Sequence, residues 1–181
     1  MAATVDVIAE VGYPQTSFAR IAERAGLSST RLISYHFANK EDLMSSVAED
    51  VISSIGRFMT ARLAALTSAA DKLAAYIEGT AAYIADNRSR MVALTDIFLA
   101  GALDYDADRD AAVVSPLEAI LRQGQADGEF RDFDPAVMAV VVQRAVDGLP
   151  FLLQATPDLD CAHYARENVT LFRLATRSEP A

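Results

Sequence analysis

The stretch from Ser17 to Leu43, SFARIAERAGLSSTRLISYHFANKEDL, narrows the possible folds of this 181-residue chain more than any other. Phe18, Ile21, Ala22 and Ala25 recur at i, i+3, i+4 and i+7, which marks one buried stripe of a helix. Ser17, or Thr16 one residue earlier, stands ahead of that stripe as an N-cap whose hydroxyl can accept an orphan N–H. Gly26 ends the helix, since glycine takes the left-handed C′ conformation without a Cβ penalty. Leu27 follows as the apolar residue that pins the turn to a core.

Ser28, Ser29 and Thr30 crowd the start of a second helix, and each can cap it. Ile33 and Phe37 supply its buried side, leaving Arg31, Ser34 and Tyr35 outside with His36 at the margin. Asn39 caps a third helix, with Asp42 at N3 in a capping-box relation. Lys40 falls in that helix's first turn, where free N–H groups and the helix dipole already favour a phosphate. The sum is a helix-turn-helix whose second helix presents small polar, basic and aromatic groups, a face that suits a DNA major groove. A bare helix–Gly–helix pattern is equally a pair of ordinary surface helices, so the specificity rests on what surrounds it.

That surrounding pattern comprises Gly12-Tyr13, Thr16-Ser17, Ile21-Ala22, Ala25-Gly26-Leu27, Tyr35-His36-Phe37 and Lys40-Glu41-x-Leu43. In this register it closely resembles the DNA-binding domain of the TetR family of bacterial regulators, strongly over the first quarter of the chain and in outline beyond. The resemblance implies that the helix from Ser28 or Ser29 to Phe37 is the recognition helix. Arg31 and Ser34 would then meet base edges, Tyr35 and His36 phosphates or the groove wall, and Lys40 the backbone. Thr16 and Ser17 would hold another phosphate. The chain has one residue more than the commonest family spacing between Gly26 and Phe37, so the assignments at Ser29, Thr30, Arg31 and Leu32 can slip by one. Leu32 then either packs inside or touches a thymine methyl. Members of the family usually begin with a basic arm, whereas here Met1 leads almost directly into a helix marked by Val5, Ile8 and Ala9. Either the arm is absent or the true start lies upstream.

The net charge of −9 sits oddly with a DNA-binding protein until it is divided. Residues 1–45 hold four Lys/Arg against five Asp/Glu, leaving twelve against twenty for residues 46–181. Global charge therefore opposes indiscriminate DNA coating, while Arg31 and Lys40 offer local attraction. Half the residues are apolar, yet no uninterrupted apolar run approaches the ~18–20 residues of a membrane span. No basic segment followed by an apolar one marks a signal peptide. A lone Cys161 excludes an internal disulfide and fits a reducing compartment. A cytoplasmic protein without a membrane partner is expected.

Beyond Asn39 the chain reads as helix, with no period-two strand signature of any length, so the fold class is all-α: a three-helix DNA-binding domain over 1–45 and a helical regulatory and dimerisation domain over 46–181. Leu43, Val47, Val51, Ile55, Met59 and Leu63 continue one stripe along a long linking helix. Further helices are expected around Leu73 to Ile84, Ser89 to Leu103 and Ala111 to Asp127, the last closed by Gly128. Asp134-Pro135, a cap followed by proline at N1, starts another that reaches about Ala155, and a last one covers Asp160 to Thr176.

The segment Ala136 to Val142 is apolar without interruption, and a helix apolar nearly all round needs partners on more than one side. It is expected to meet both its own core and a second subunit. The resemblance likewise implies a four-helix homodimer interface from the last two long helices, with Val137, Val141, Val142, Leu149, Leu152 and Leu171 as candidates. A dimer also suits a palindromic double-stranded operator, since paired recognition helices ~34–36 Å apart read successive major grooves. The resemblance further implies a pocket for a small-molecule effector. Its candidates are Tyr76, Tyr83, Met91, Leu94, Phe98 and Leu121, with Thr80, Thr95 and Gln143 as polar groups. Sequence does not separate lining from filling, because such pockets are mostly apolar with few anchors.

Other chemistries find little support. Asp104, Asp106, Asp108 and Asp110 alternate but lack the central glycine and distal glutamate of a calcium loop, and read as an interhelical loop. Asp158, Asp160, Cys161 and His163 form a small cluster of possible ligands, but Cys161 and His163 sit too close in one helix to converge on a metal without help from elsewhere. A di-iron bundle needs paired Glu-x-x-His motifs, of which there are none. No Ser–His–Asp, phosphate-loop or zinc pattern appears, so neither an enzyme nor a cofactor is expected. Asp96 and Asp147 interrupt apolar helices, and Asp147-Gly148 reads as structural. The expected function is a sequence-specific repressor released by a small molecule. The alternative is a helical ligand sensor or adaptor that has lost DNA binding.

Overall fold

The computed structural model describes residues 1–103 and 107–178; the remaining residues, and the side chains of 107–110, lie outside the described residues. The acidic alternation from Asp104 to Asp110 therefore falls outside them. The elements in order are α1 (Ala2–Gln15), α2 (Phe18–Arg24), α3 (Arg31–His36), α4 (Lys40–Leu63), α5 (Ala69–Asp86), α6 (Arg88–Leu99), α7 (Ala107–Ala126), α8 (Pro135–Asp147), α9 (Leu149–Ala155) and α10 (Cys161–Thr176). Among the described residues the only β pairing is an isolated bridge between Phe130 and Arg177.

Packing divides the chain into two compact units, one of Met1–Ile55 with Asn87–Tyr105, the other of Gly56–Asp86 with Asp106–Ala181. This differs from a division at residues 45 and 46, because α6 belongs with the N-terminal helices. It lies along α1, and its Ala93 and Ile97 share a core with Val5, Ile8, Ile21, Ile33, Leu43, Met44 and Val47. Each such fully buried branched side chain contributes about 1.5–3 kcal/mol.

Local signals set most boundaries. The Ser17 hydroxyl accepts the Arg20 N–H at 3.3 Å, and the Asn39 side chain accepts that of Asp42 at 2.8 Å. Asp134 takes the N–H groups of Ala136 and Val137, and Asp160 that of His163. Gly26 has φ +68°, and Leu27 donates back to the Ala22 carbonyl at 2.8 Å, closing α2 as a Schellman turn. Ala25, expected on the buried stripe, is exposed at the C-cap instead.

In the second unit α5 is the central helix, in contact with α7, α8, α9 and α10. Its Leu73 and Ile77 are fully buried, as are Leu117, Leu121, Val142 and Leu149 of its neighbours. The helix expected to run from Pro135 to Ala155 is interrupted at Gly148, because Pro150 has no N–H to continue the ladder. Gly148 keeps helical angles and accepts the Leu152 N–H, so the path resumes. Taken together, Pro135–Ala155 is long and apolar enough to cross a membrane by length and composition alone. It also carries Arg144 and Asp147, which pair at 2.9 Å.

Candidate nucleic-acid interface

The short helix α3 is held by one deeply placed anchor, Ile33, 8% exposed, and by half-buried Phe37. That anchorage turns Arg31, Ser34, Tyr35 and His36 outward, all four exposed. Tyr35 is 82% exposed and meets the His36 ring edge-on at 5.1 Å between centroids. Among the described residues no side-chain hydrogen bond or ion pair engages Arg31 or Ser34. Exposed side chains at N1 and N4 of a short helix can approach base edges, provided the helix enters a groove by its N-terminal end.

The helix begins later than Ser28 or Ser29. Thr30 is its N-cap by position but makes no side-chain cap bond, while the Ser29 hydroxyl accepts the Arg31 N–H at a long 3.4 Å. Ser29 is exposed and Thr30 half-buried, both in the turn rather than on the helix. Leu32 is 54% exposed, which removes the alternative of inward packing.

Thr16 and Ser17 part company. Thr16 is 2% exposed and donates its hydroxyl to the Gly12 carbonyl at 2.8 Å, so it cannot meet a phosphate. Ser17 is exposed at the start of α2, with Arg20 exposed one turn on. Arg20 is a candidate that the apolar-stripe reading of this helix passes over, although its charge on the open face could have flagged it. Arg24, by contrast, pairs with Glu10 of α1.

Lys40 is more committed than a first-turn phosphate ligand need be. Its ammonium donates to the Tyr13 carbonyl at 2.5 Å, lies 3.5 Å from that of Pro14, and sits 4.1 Å above the Tyr13 ring. An ammonium has three donors, so the contact leaves capacity for a phosphate while fixing its position. Burial, and secondarily the Glu41 carboxylate, push the Tyr13 phenol above its ordinary value. Tyr13 itself follows a break in α1 at Gly12, and its N–H donates to the Asp96 carboxylate at 2.9 Å. Neither Tyr13 nor Asp96 is reachable by helical periodicity as a site residue.

The effector candidates are distributed over both units. Met91, Leu94 and Thr95 of α6 are half-buried and Phe98 is 42% exposed, all in the N-terminal unit. Tyr76, Thr80, Tyr83, Leu121 and Gln143 belong to the other unit and are buried there. The Tyr76 hydroxyl donates to the Gln143 amide oxygen at 2.5 Å, and the Gln143 amide donates to Asp147 at 2.7 Å. Burial, and then the Asp147 charge, push the Tyr76 phenol up to about 12. Thr80 returns its hydroxyl to the Tyr76 carbonyl at 2.9 Å, and the Tyr83 ring packs 5.5 Å from that of Phe58. A groove of about 320 Å³ in this unit lies elsewhere, lined by Leu73, Phe130, Arg173 and Leu174, none of them a predicted effector contact.

The dimer candidates also separate. Val137, Val141, Leu152 and Leu171 are 60, 51, 42 and 59% exposed. Val142 and Leu149 are fully buried in their own chain and therefore unavailable to a second one. Val140, Phe151 and Leu174, exposed at 39, 48 and 57%, are apolar surface that the prediction omitted. Among the described residues no group of three or more His, Cys, Asp or Glu gathers as a metal cage.

Residues 1–47 match the family described as bacterial regulatory proteins, tetR family. The HTH-type transcriptional regulator BetI of Klebsiella pneumoniae is 39% identical over 79 residues, 42% of this chain. The matched stretch spans only 40% of that relative's length. The fold resembles a regulatory protein in the tetR family from Rhodococcus RHA1, with TM-score 0.83 and 20% identity over 99% of this chain and 95% of that one. It also resembles AibR in complex with isovaleryl coenzyme A and operator DNA, with TM-score 0.76 and 19% identity over 94% of this chain and 96% of that one. The likeness to the tetR family of bacterial regulatory proteins thus rests on residues 1–47 in sequence and on the fold alone over the rest of the chain.

Proposed function

We propose that this protein is a homodimeric, cytoplasmic transcription regulator that binds a palindromic operator and is released from it by a small-molecule effector. One observation carries the reading: Ile33 anchors α3 so that Arg31, Ser34, Tyr35 and His36 all face outward and are exposed. Arg31 and Ser34 read base edges, Tyr35 and His36 meet phosphates or the groove wall, and Ser17 and Lys40 bind phosphates. Ser29 and Thr30, in the turn, approach the backbone at the helix entrance. The BetI likeness and the fold shared with AibR, a protein seen with operator DNA and an acyl-coenzyme A, support a ligand-responsive regulator over a sensor without DNA.

A second copy covers the apolar faces of α8, α9 and α10, where Val137, Val141, Leu152 and Leu171 would otherwise contact water. That cover also accounts for the apolar Pro135–Ala155 segment without a membrane. Release requires that the effector bind the dimer geometry that mismatches the half-sites more tightly than the one that fits them.

Fluorescence anisotropy with duplexes tiling the DNA upstream of its own gene tests the reading. One segment is expected to bind far more tightly than random sequence, with affinity falling steeply as salt rises from about 50 to 200 mM. No salt-sensitive binding to any segment would favour the adaptor reading.

A further inference from the structure

Asp96 stands in the apolar helix α6 with a half-buried carboxylate, and the group it serves is a backbone amide, not a cation. The amide belongs to Tyr13, just past a break in α1. Gly12 there has φ +79° and ψ 159°, a region essentially open to glycine alone. The break turns the Tyr13 N–H out of the helical ladder and toward α6, where the Asp96 oxygen accepts it at 2.9 Å. A Cβ at Gly12 would stand 3.4 Å from that same oxygen, an ordinary contact, so it is the backbone angle and not the space that calls for glycine. On the other side of the residue, the Tyr13 carbonyl accepts the Lys40 ammonium at 2.5 Å, and the Tyr13 ring lies under it at 4.1 Å. One residue thus has an anion on its donor and a cation on its acceptor and ring. All of these groups lie in the N-terminal unit.

We propose that Asp96 is a positioning residue for DNA binding, holding Tyr13 so that the Lys40 ammonium is presented to a phosphate. The inference rests on the regulator reading above and adds to it a residue remote from the DNA-facing helix. Without the carboxylate, the Tyr13 N–H has no acceptor at the break, and the turn carrying the carbonyl and ring beneath Lys40 loses its fixed end. Lys40 then gives back its phosphate contact, while Arg31 and Ser34 on α3 keep theirs. The loss is therefore of affinity without loss of base preference.

The test compares wild type with Asp96→Ala, Asp96→Asn and Lys40→Ala, each confirmed folded by circular dichroism, on the tightest upstream duplex and on a random one. Asp96→Ala is expected to weaken both duplexes by a similar factor, of order 5–10-fold, and to make the salt slope shallower by about 2 per dimer, one phosphate for each subunit. Lys40→Ala should give the same slope, and the double variant no further change. Asp96→Asn keeps an oxygen acceptor in place and should restore both affinity and slope. Amide hydrogen exchange at Tyr13 should speed up in Asp96→Ala and not in Asp96→Asn. A wild-type slope in Asp96→Ala, or a further slope loss in the double variant, would overturn this inference and leave the regulator reading standing. Absence of salt-sensitive binding by the wild type would overturn both.

Discussion

Replacing Tyr76 by phenylalanine removes one oxygen from the middle of the second unit, and the structure sets both the size and the pH dependence of the result. Tyr76 and Gln143 are 8% and 5% exposed, and the hydroxyl-to-amide bond between them is 2.5 Å long. Losing such a bond costs about 1 kcal/mol, and leaving the Gln143 oxygen bare in the interior costs about 1–3 kcal/mol more. The Gln143 amide nitrogen stays bonded to Asp147, so the side chain cannot simply turn over to recover. A total of about 2–4 kcal/mol is expected near neutral pH. The phenol stands at about 12 in the folded protein against an ordinary 10.0, raised by burial and then by Asp147. The folded state thus holds this proton more tightly than the unfolded chain. The associated stability is fully present below about pH 10 and lost as pH rises toward 12, by about 3 kcal/mol. Phenylalanine has no such proton, so the gap between wild type and Tyr76→Phe should shrink across that interval. Urea unfolding followed by circular dichroism at a series of pH values measures the gap. A gap that stays constant to pH 12 would refute the argument, as would one below about 0.5 kcal/mol at neutral pH.

Arg31→Ala should flatten preference at one base pair per half-site, worth about 1–3 kcal/mol on the best duplex and little on random DNA; equal losses on both would remove its base-reading role. Introducing Val141→Asp with Leu171→Asp puts charge on faces that are 51 and 59% exposed in the single chain, and sedimentation equilibrium should then show a folded monomer. A dimer that survives both changes would place the interface elsewhere. The Glu129 carboxylate accepts the N–H groups of Ala70 and Ala69 and the Ser68 hydroxyl, which together hold it below the ordinary glutamate range. Its contribution is present above the unfolded value and lost as pH falls through the folded one. Glu129→Gln should therefore be less stable at neutral pH and lose less on acidification, as acid titration of unfolding would show.

Short-range signals were the legible part of this molecule. Gly26, Ser17, Asn39 with Asp42, and Asp134-Pro135 each act within one turn, so their partners can be named from spacing alone. The outward set on α3 was legible for the same reason, since Ile33 and Phe37 fix the inner side. Failures arose where the deciding partner is distant or the pattern carries no contrast. Thr16 and Lys40 look like surface groups until the Gly12 break brings the carbonyls of Gly12 and Tyr13 to them. Within the apolar run from Ala136 to Val142 no polar residue marks a face, so periodicity could not tell buried Val142 from exposed Val141. Tyr76, read as an aromatic candidate, and Gln143, read as a polar one, are partners across α5 and α8, separated by 67 residues.

The assignment of α6 to the N-terminal unit bears on how such a protein is taken apart and rebuilt. Residues 1–47 carry the family signature, yet the core they contribute to also contains Ala93 and Ile97, which follow only after α5. A ribosome must therefore synthesise that later helix before the DNA-reading unit can close, and a truncation at residue 47 would leave Val5, Ile8 and Met44 facing a gap. Grafting this DNA specificity onto another regulator by a single crossover would cut through a core. A graft that also carries residues 87–103, with Asp96 among them, would keep it whole.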